Sequence, residues 1–177
     1  MKNRERKDTK AMTYIDETAM YLFNQGVNYE SYRMLGAHKK ALADGTEGYL
    51  FAVWAPNAKS VSVVCDQNGW DANLGRMRRH INSGIWEVFI PGVCEGQNYK
   101  FSIDTYRGET VLKADPYAFY SEVRPANASV TADLTYTWQD QAWMEKRSVT
   151  PPYDRPVSIY EMHYGSWRCK EDGSYYT

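Results

Sequence analysis

Between residues 48 and 113 the chain is written in short runs of aromatic and β-branched residues, at 49–54, 61–65, 85–90, 99–104 and 110–113, with no helical spacing between them. Pro56-Asn57, Asn68-Gly69, Ser83-Gly84, Pro91-Gly92 and Arg107-Gly108 separate the runs, and each pair has the chemistry of a tight turn. In Tyr99-Lys100-Phe101-Ser102-Ile103-Asp104 apolar and polar residues alternate strictly, as on a sheet with one face in water. Short antiparallel strands joined by turns predict an all-β domain, an immunoglobulin-like β-sandwich, over residues 41–147.

Residues 1–40 read as a tail and a short helical segment. Asp16 or Thr18 is a possible N-cap, Ala19, Leu22 and Phe23 recur at helical spacing, and the helix ends near Gly26. Residues 28–35 predict one or two further helical turns, with Gly36 as a C-cap candidate. After the β-like run 129–131, the prolines of 148–156 mark an extended linker. Residues 157–163 then read as one more strand, but only 21 residues remain from Val157 onward, too few for another core. The chain is therefore expected to stop at the entrance to a second domain. At 177 residues it is also too short for a closed (β/α)₈ barrel, which takes roughly 200 to 250.

Charge narrows the partners. Lys and Arg number 21 against 22 Asp and Glu, a net charge of -1, so no broad positive field draws nucleic acid or an anionic membrane. The basic residues Lys2, Arg4, Arg6, Lys7 and Lys10 are interrupted by Glu5 and Asp8 and read as a solvated, frayed terminus. No apolar stretch serves as a signal peptide or a membrane span. The three cysteines are far apart and odd in number, which argues for a reducing, cytoplasmic setting. His38, His80 and His163 stand alone, so neither a metal site nor a Cys/His pair is expected, and no cofactor motif is present. Asp66 and Asp71 flank a turn and read as backbone-binding turn residues, not as a glycosidase pair.

Aromatic residues make up 15% of the chain, and that excess has a use. A sugar ring offers C–H bonds on its face and hydroxyls at its edge, so glucan is held by an aromatic plane with polar groups at the rim. In Asn68-Gly69-Trp70-Asp71 a Trp follows a tight-turn pair and sits near a hairpin tip. Trp70 is the first candidate, with Asn68 beside it. Lys100 lies on the polar side of its strand, able to donate to sugar hydroxyls, and Trp86 and Tyr106 extend the platform. The same residues suit plain packing: Trp70 as an anchor, Trp86 as core, Lys100 as a solvated charge.

Phe51-Ala52-Val53-Trp54-Ala55-Pro56-Asn57-Ala58, Asn68-Gly69-Trp70-Asp71, Tyr99-Lys100-Phe101, Lys113-Ala114-Asp115-Pro116-Tyr117-Ala118, Ser121-Glu122-Val123-Arg124-Pro125 and the run from Ser158 to Trp167 keep an order and spacing that resemble bacterial 1,4-α-glucan (glycogen) branching enzymes. The resemblance covers the amino-terminal β-sandwich, a family 48 carbohydrate-binding module, and the start of a glycoside hydrolase family 13 barrel. It implies that residues 157–177 hold the first barrel strand, with His163 and Tyr164 near the substrate mouth, and that the catalytic carboxylates lie on later strands. This chain alone would then be catalytically silent. The implied partners are α-glucan, as glycogen or maltooligosaccharides, and the catalytic barrel of the same polypeptide, with a glucan 6-hydroxyl accepting the transferred chain. The alternatives are a stand-alone carbohydrate-binding or interaction module and the module of another family 13 enzyme, such as a debranching enzyme.

Overall fold

The computed structural model describes residues 13–151, 153, 154 and 156–175; the basic terminus and Pro152 of the linker lie outside the described residues. The chain divides into two compact units, Met1–Leu134 and Thr135–Thr177. The first unit carries helix α1 (Glu17–Asn24) and strands β1 (Gly36–Ala41), β2 (Glu47–Trp54), β3 (Ser60–Cys65), β4 (Arg78–Arg79), β5 (Ile85–Pro91), β6 (Asn98–Asp104), β7 (Thr110–Lys113), β8 (Tyr120–Ser121) and β9 (Ser129–Val130).

These strands form two antiparallel sheets, one in the order β1-β2-β5-β4, the other in the order β3-β6-β9-β8 with β7 also paired to β6. Phe51, Val53, Trp86 and Ile90 from the first sheet meet Val61, Val63, Tyr99 and Phe101 from the second in one core. The result is the β-sandwich that the strand pattern predicts. The β1 strand is the main departure, because most of it falls within residues 1–40, where the sequence predicts a tail and a short helical segment. Gly-Ala-His-Lys-Lys-Ala looks polar because β1 is an edge strand, where exposed lysines discourage pairing with other chains. Gly36 starts it at φ +105, where a Cβ would come within 3.0 Å of the Tyr117 carbonyl oxygen, so it enters a strand instead of capping a helix.

The outer face of the first sheet is also covered. Ile15, Met20, Met34 and Leu35 pack on Leu50, Ala52 and Ile85, forming a second core outside the sandwich. The α1 helix supplies this cover, with Asp16 as its N-cap accepting from the Ala19 N–H at 3.1 Å. One turn of 3₁₀ helix, Ser31–Arg33, stands within residues 28–35, where one or two helical turns are expected. What pins the cover down is Glu87, a carboxylate on β5 only 1% exposed. It accepts from the N–H groups of Tyr14 (3.3 Å) and Ile15 (3.1 Å) and from the Arg78 guanidinium, and His80 Nε2 lies 3.1 Å away. A buried charge is tolerated only with such partners.

The second unit contains helix α2 (Gln141–Ser148) and a 3₁₀ turn, Tyr164–Ser166, beside which His163 Nδ1 lies 2.6 Å from Ser166 Oγ. Residues 157–163, where the apolar run predicts a strand, have no ladder among the described residues. A strand is defined by a neighbour that takes its N–H and C=O groups, and no such neighbour is present among the described residues. No described helix is long and apolar enough to cross a membrane.

Glu87→Ala strands two backbone donors under the second core. Urea unfolding is expected to show a loss of about 3–5 kcal/mol, with faster proteolysis within α1. A loss below about 1 kcal/mol contradicts the anchoring role.

Candidate functional site

The β3 strand ends at Cys65 in a turn of 3₁₀ helix, Asp66–Asn68, followed by two residues in the left-handed region, Gly69 at φ 62 and Trp70 at φ 63. Asn68 holds that turn. Its Oδ1 accepts from the Cys65 N–H and its Nδ2 donates to the Val63 carbonyl, both at 2.9 Å, and the residue is buried. Asn68, expected at the rim of a sugar site, is thus a framework residue with its amide already committed. Gly75 lies so tightly on β3 that a Cβ would meet the Val63 oxygen at 1.9 Å, and its carbonyl accepts from the Val63 N–H at 2.8 Å, which closes the loop onto that strand.

Trp70 is 40% exposed. Its backbone N–H donates to the Cys65 carbonyl at 3.0 Å, and its indole Nε1–H donates to Asp66 Oδ1, also at 3.0 Å. Asp66 Oδ2 in turn accepts from the Asn98 N–H at 2.8 Å, tying the indole to the start of β6. A bulky residue at positive φ costs about 1–2 kcal/mol and persists where its surroundings over-determine it, which is a reason to look for function. Asp66, read from sequence as a turn residue, also orients the indole; Asp71 caps its own turn by accepting from the Asn73 N–H at 2.8 Å.

Lys100 lies two residues along β6 from Asn98, on the same outward face and about 7 Å away. Its Nζ donates to Asn127 Oδ1 on the hairpin loop between β8 and β9. Asn127 escaped the sequence reading because the contact spans 27 residues and arises from a loop with no periodic pattern. The remaining candidates fall elsewhere. Trp86 is core: its ring is buried, its Nε1 donates to the Ala55 carbonyl at 3.0 Å, and the Arg79 guanidinium covers it at 5.6 Å. Tyr106 is exposed, but it follows Asp104, whose β3 partner is Ser60, whereas Trp70 lies beyond Cys65, the partner of Tyr99. The two rings therefore sit past opposite ends of the β3–β6 ladder, roughly 17 Å apart along the strand.

Beside Asn127 runs a groove of about 780 Å³ between the 114–118 turn and the 121–129 hairpin, walled by Ala114, Ala118 and Ala126. Asp115 lies at its base, buried, accepting from the Tyr99 hydroxyl at 2.7 Å and the Tyr117 N–H at 2.8 Å. Burial pushes the Asp115 carboxyl above the usual carboxylate range, against the lowering effect of those two donors. Among the described residues no three His, Cys, Asp or Glu side chains come together to hold a metal ion. Trp70, Lys100 and Asn127 thus offer a flat apolar plane flanked by polar groups, a geometry suited to a neutral, hydroxyl-rich ligand.

Residues 34–118 match carbohydrate-binding module 48 (Isoamylase N-terminal domain). The chain is 50% identical over 159 residues to the 1,4-alpha-glucan branching enzyme GlgB of Protochlamydia amoebophila, covering 89% of this chain and 22% of that protein. The GlgB enzymes of Synechococcus sp. (strain JA-3-3Ab) and Bacillus subtilis (strain 168) are 51% and 48% identical, over 88% and 89% of this chain and 20% and 25% of their own length. The chain thus spans about a quarter or less of these relatives. Among solved structures, pullulanase from Bacillus acidopullulyticus superimposes on 56% of this chain and 12% of its own with a TM-score of 0.45 at 24% identity, too loose a likeness to bear on function.

Two outcomes follow from this geometry. If Trp70 stores strain, Trp70→Gly is more stable than Trp70→Ala by about 1 kcal/mol in urea unfolding, because both lose the indole and only glycine relaxes the backbone; an equally stable alanine variant rules the strain out. For Asp115 the folded state holds its proton more tightly than the unfolded chain does. Its contribution is full below about pH 4 and is lost as pH rises through the raised folded value. The stability of the unmodified chain relative to Asp115→Asn therefore falls as pH climbs from 4 toward 8, and a relative stability that rises over this range contradicts the assignment.

Proposed function

We propose, from the match of residues 34–118 to carbohydrate-binding module 48 and the likeness to branching enzymes, that this chain is the amino-terminal, glucan-binding and barrel-docking part of a glycogen branching enzyme. The observation that carries the reading is Trp70, held in the left-handed region with its indole nitrogen tied down by Asp66 and its ring left partly open to solvent. Trp70 stands outside both buried clusters of the described residues, and a sugar ring needs a rigid, open aromatic plane of this kind. Lys100 and Asn127 supply donors and acceptors for the hydroxyls at the ring edge, already aligned by their mutual hydrogen bond.

In this reading residues 157–177, beyond the 148–156 linker, begin the catalytic barrel, and the carboxylates that act on the α-1,4 bond belong to the rest of the whole protein. That protein would pass the released chain to a glucan 6-hydroxyl, building α-1,6 branches in the cytoplasm. The module's part is to hold glucan near the barrel and to pack against it. New α-1,6 linkages in the products of the whole protein support this assignment; loss of such linkages identifies a debranching enzyme instead.

The site itself is tested by titrating the chain with maltoheptaose while following tryptophan fluorescence. Trp70→Ala is expected to weaken binding about tenfold or more, and Lys100→Ala and Asn127→Ala several-fold each. Undiminished binding by all three variants overturns this site.

A further inference from the structure

The amino-terminal cover packs on the first sheet, and on the outward face of the other, β3-β6-β9-β8, the register aligns more than Trp70 and Lys100. Asn98 on β6 stands opposite Val130 on β9, and Val130 opposite Tyr120 on β8. Directly opposed residues of antiparallel strands share a face, so these three form one row. Side-chain bonding supports this alignment: Asn98 Nδ2 donates to Glu122 Oε1 at 3.2 Å, and Glu122 lies two residues beyond Tyr120. Glu122 Oε2 accepts from the Ala128 N–H at 2.7 Å, locking the hairpin that carries Asn127. At the other end of the row Asn98 is bound to Asp66, which holds the Trp70 indole.

Tyr120 is 62% exposed, on a two-residue edge strand. Resting on the glucan reading above, we propose that Tyr120 is a second stacking platform of the same site, so that the face takes an extended α-1,4-glucan chain lying across the strands from Trp70 to Tyr120. Three strand spacings separate the Asp66 end of the row from β8, about 14 Å. A ligand must be an oligosaccharide, longer than a disaccharide, to engage both rings at once. Val130 between them is buried and serves as floor, so Lys100 and Asn127 beside the track supply the polar partners for the ring hydroxyls between the two aromatic platforms. Tyr120 takes the place that sequence reasoning gave to Trp86 and Tyr106.

The test compares maltotriose and maltoheptaose binding by calorimetry for the unmodified chain, Tyr120→Ala, Tyr120→Phe and Trp70→Ala. Tyr120→Ala is expected to weaken maltoheptaose about three- to tenfold and maltotriose less than twofold, while Tyr120→Phe, which keeps the ring, binds as the unmodified chain does. Trp70→Ala weakens both ligands. Equal urea midpoints for Tyr120→Ala and the unmodified chain exclude a folding effect. If Trp70→Ala loses binding but Tyr120→Ala does not, the second platform is overturned and the glucan site stands. If the unmodified chain binds neither sugar, the glucan reading falls and this inference falls with it.

Discussion

Strand β2 is buried along both faces, and that double burial gives the sandwich a front and a back. Tyr49, Phe51 and Val53 point into the space between the sheets, while Leu50 and Ala52 point the other way, under the amino-terminal cover. A strand that alternates apolar and polar residues can do only one of these things; the continuous apolar run from Tyr49 to Trp54 does both. Among the described residues, the amino-terminal cover takes up the outer face of the first sheet, while Asn98, Lys100 and Asp104 on the outward side of β6 in the second sheet keep partial exposure.

Glu87 is the electrostatic counterpart of that arrangement. It lies on the covered side of β5 and accepts from the backbone N–H groups of Tyr14 and Ile15, so lifting the cover strips a buried carboxylate of two of its donors and leaves it with Arg78 and His80. On the opposite side the carboxylates Asp66 and Glu122 do related work at the surface. Each spends both oxygens on positioning, Asp66 on the Trp70 indole and the Asn98 backbone, Glu122 on the Asn98 amide and the Ala128 backbone. The Trp70 indole and the Asn98 side chain are thereby held in place within the fold, which would reduce the ordering cost of binding at the proposed site.

Much of this was legible residue by residue. The five main strands, the Asp16 cap, the tight turn before Trp70 and the outward side of Lys100 all follow from patterns within a few neighbours, since turn chemistry and alternation are local physics. The edge strand β1 and the short pairs β4 and β8 were not legible, because two or three polar residues become a strand only when a longer neighbour supplies the ladder. Asn68 shows the reverse error: its type and place beside Trp70 suit a sugar rim, yet its amide is consumed by Cys65 and Val63.

The amino-acid sequence by itself determined that this chain makes an all-β sandwich and that an indole stands just past a glycine turn, since both depend on side-chain period and backbone sterics within short windows. Only the tertiary structure decided which aromatic rings share a face. Trp86 went into the core, Tyr106 to the far end of the ladder, and Tyr120 into line with Trp70, because those outcomes depend on strand order and register between segments far apart in the chain.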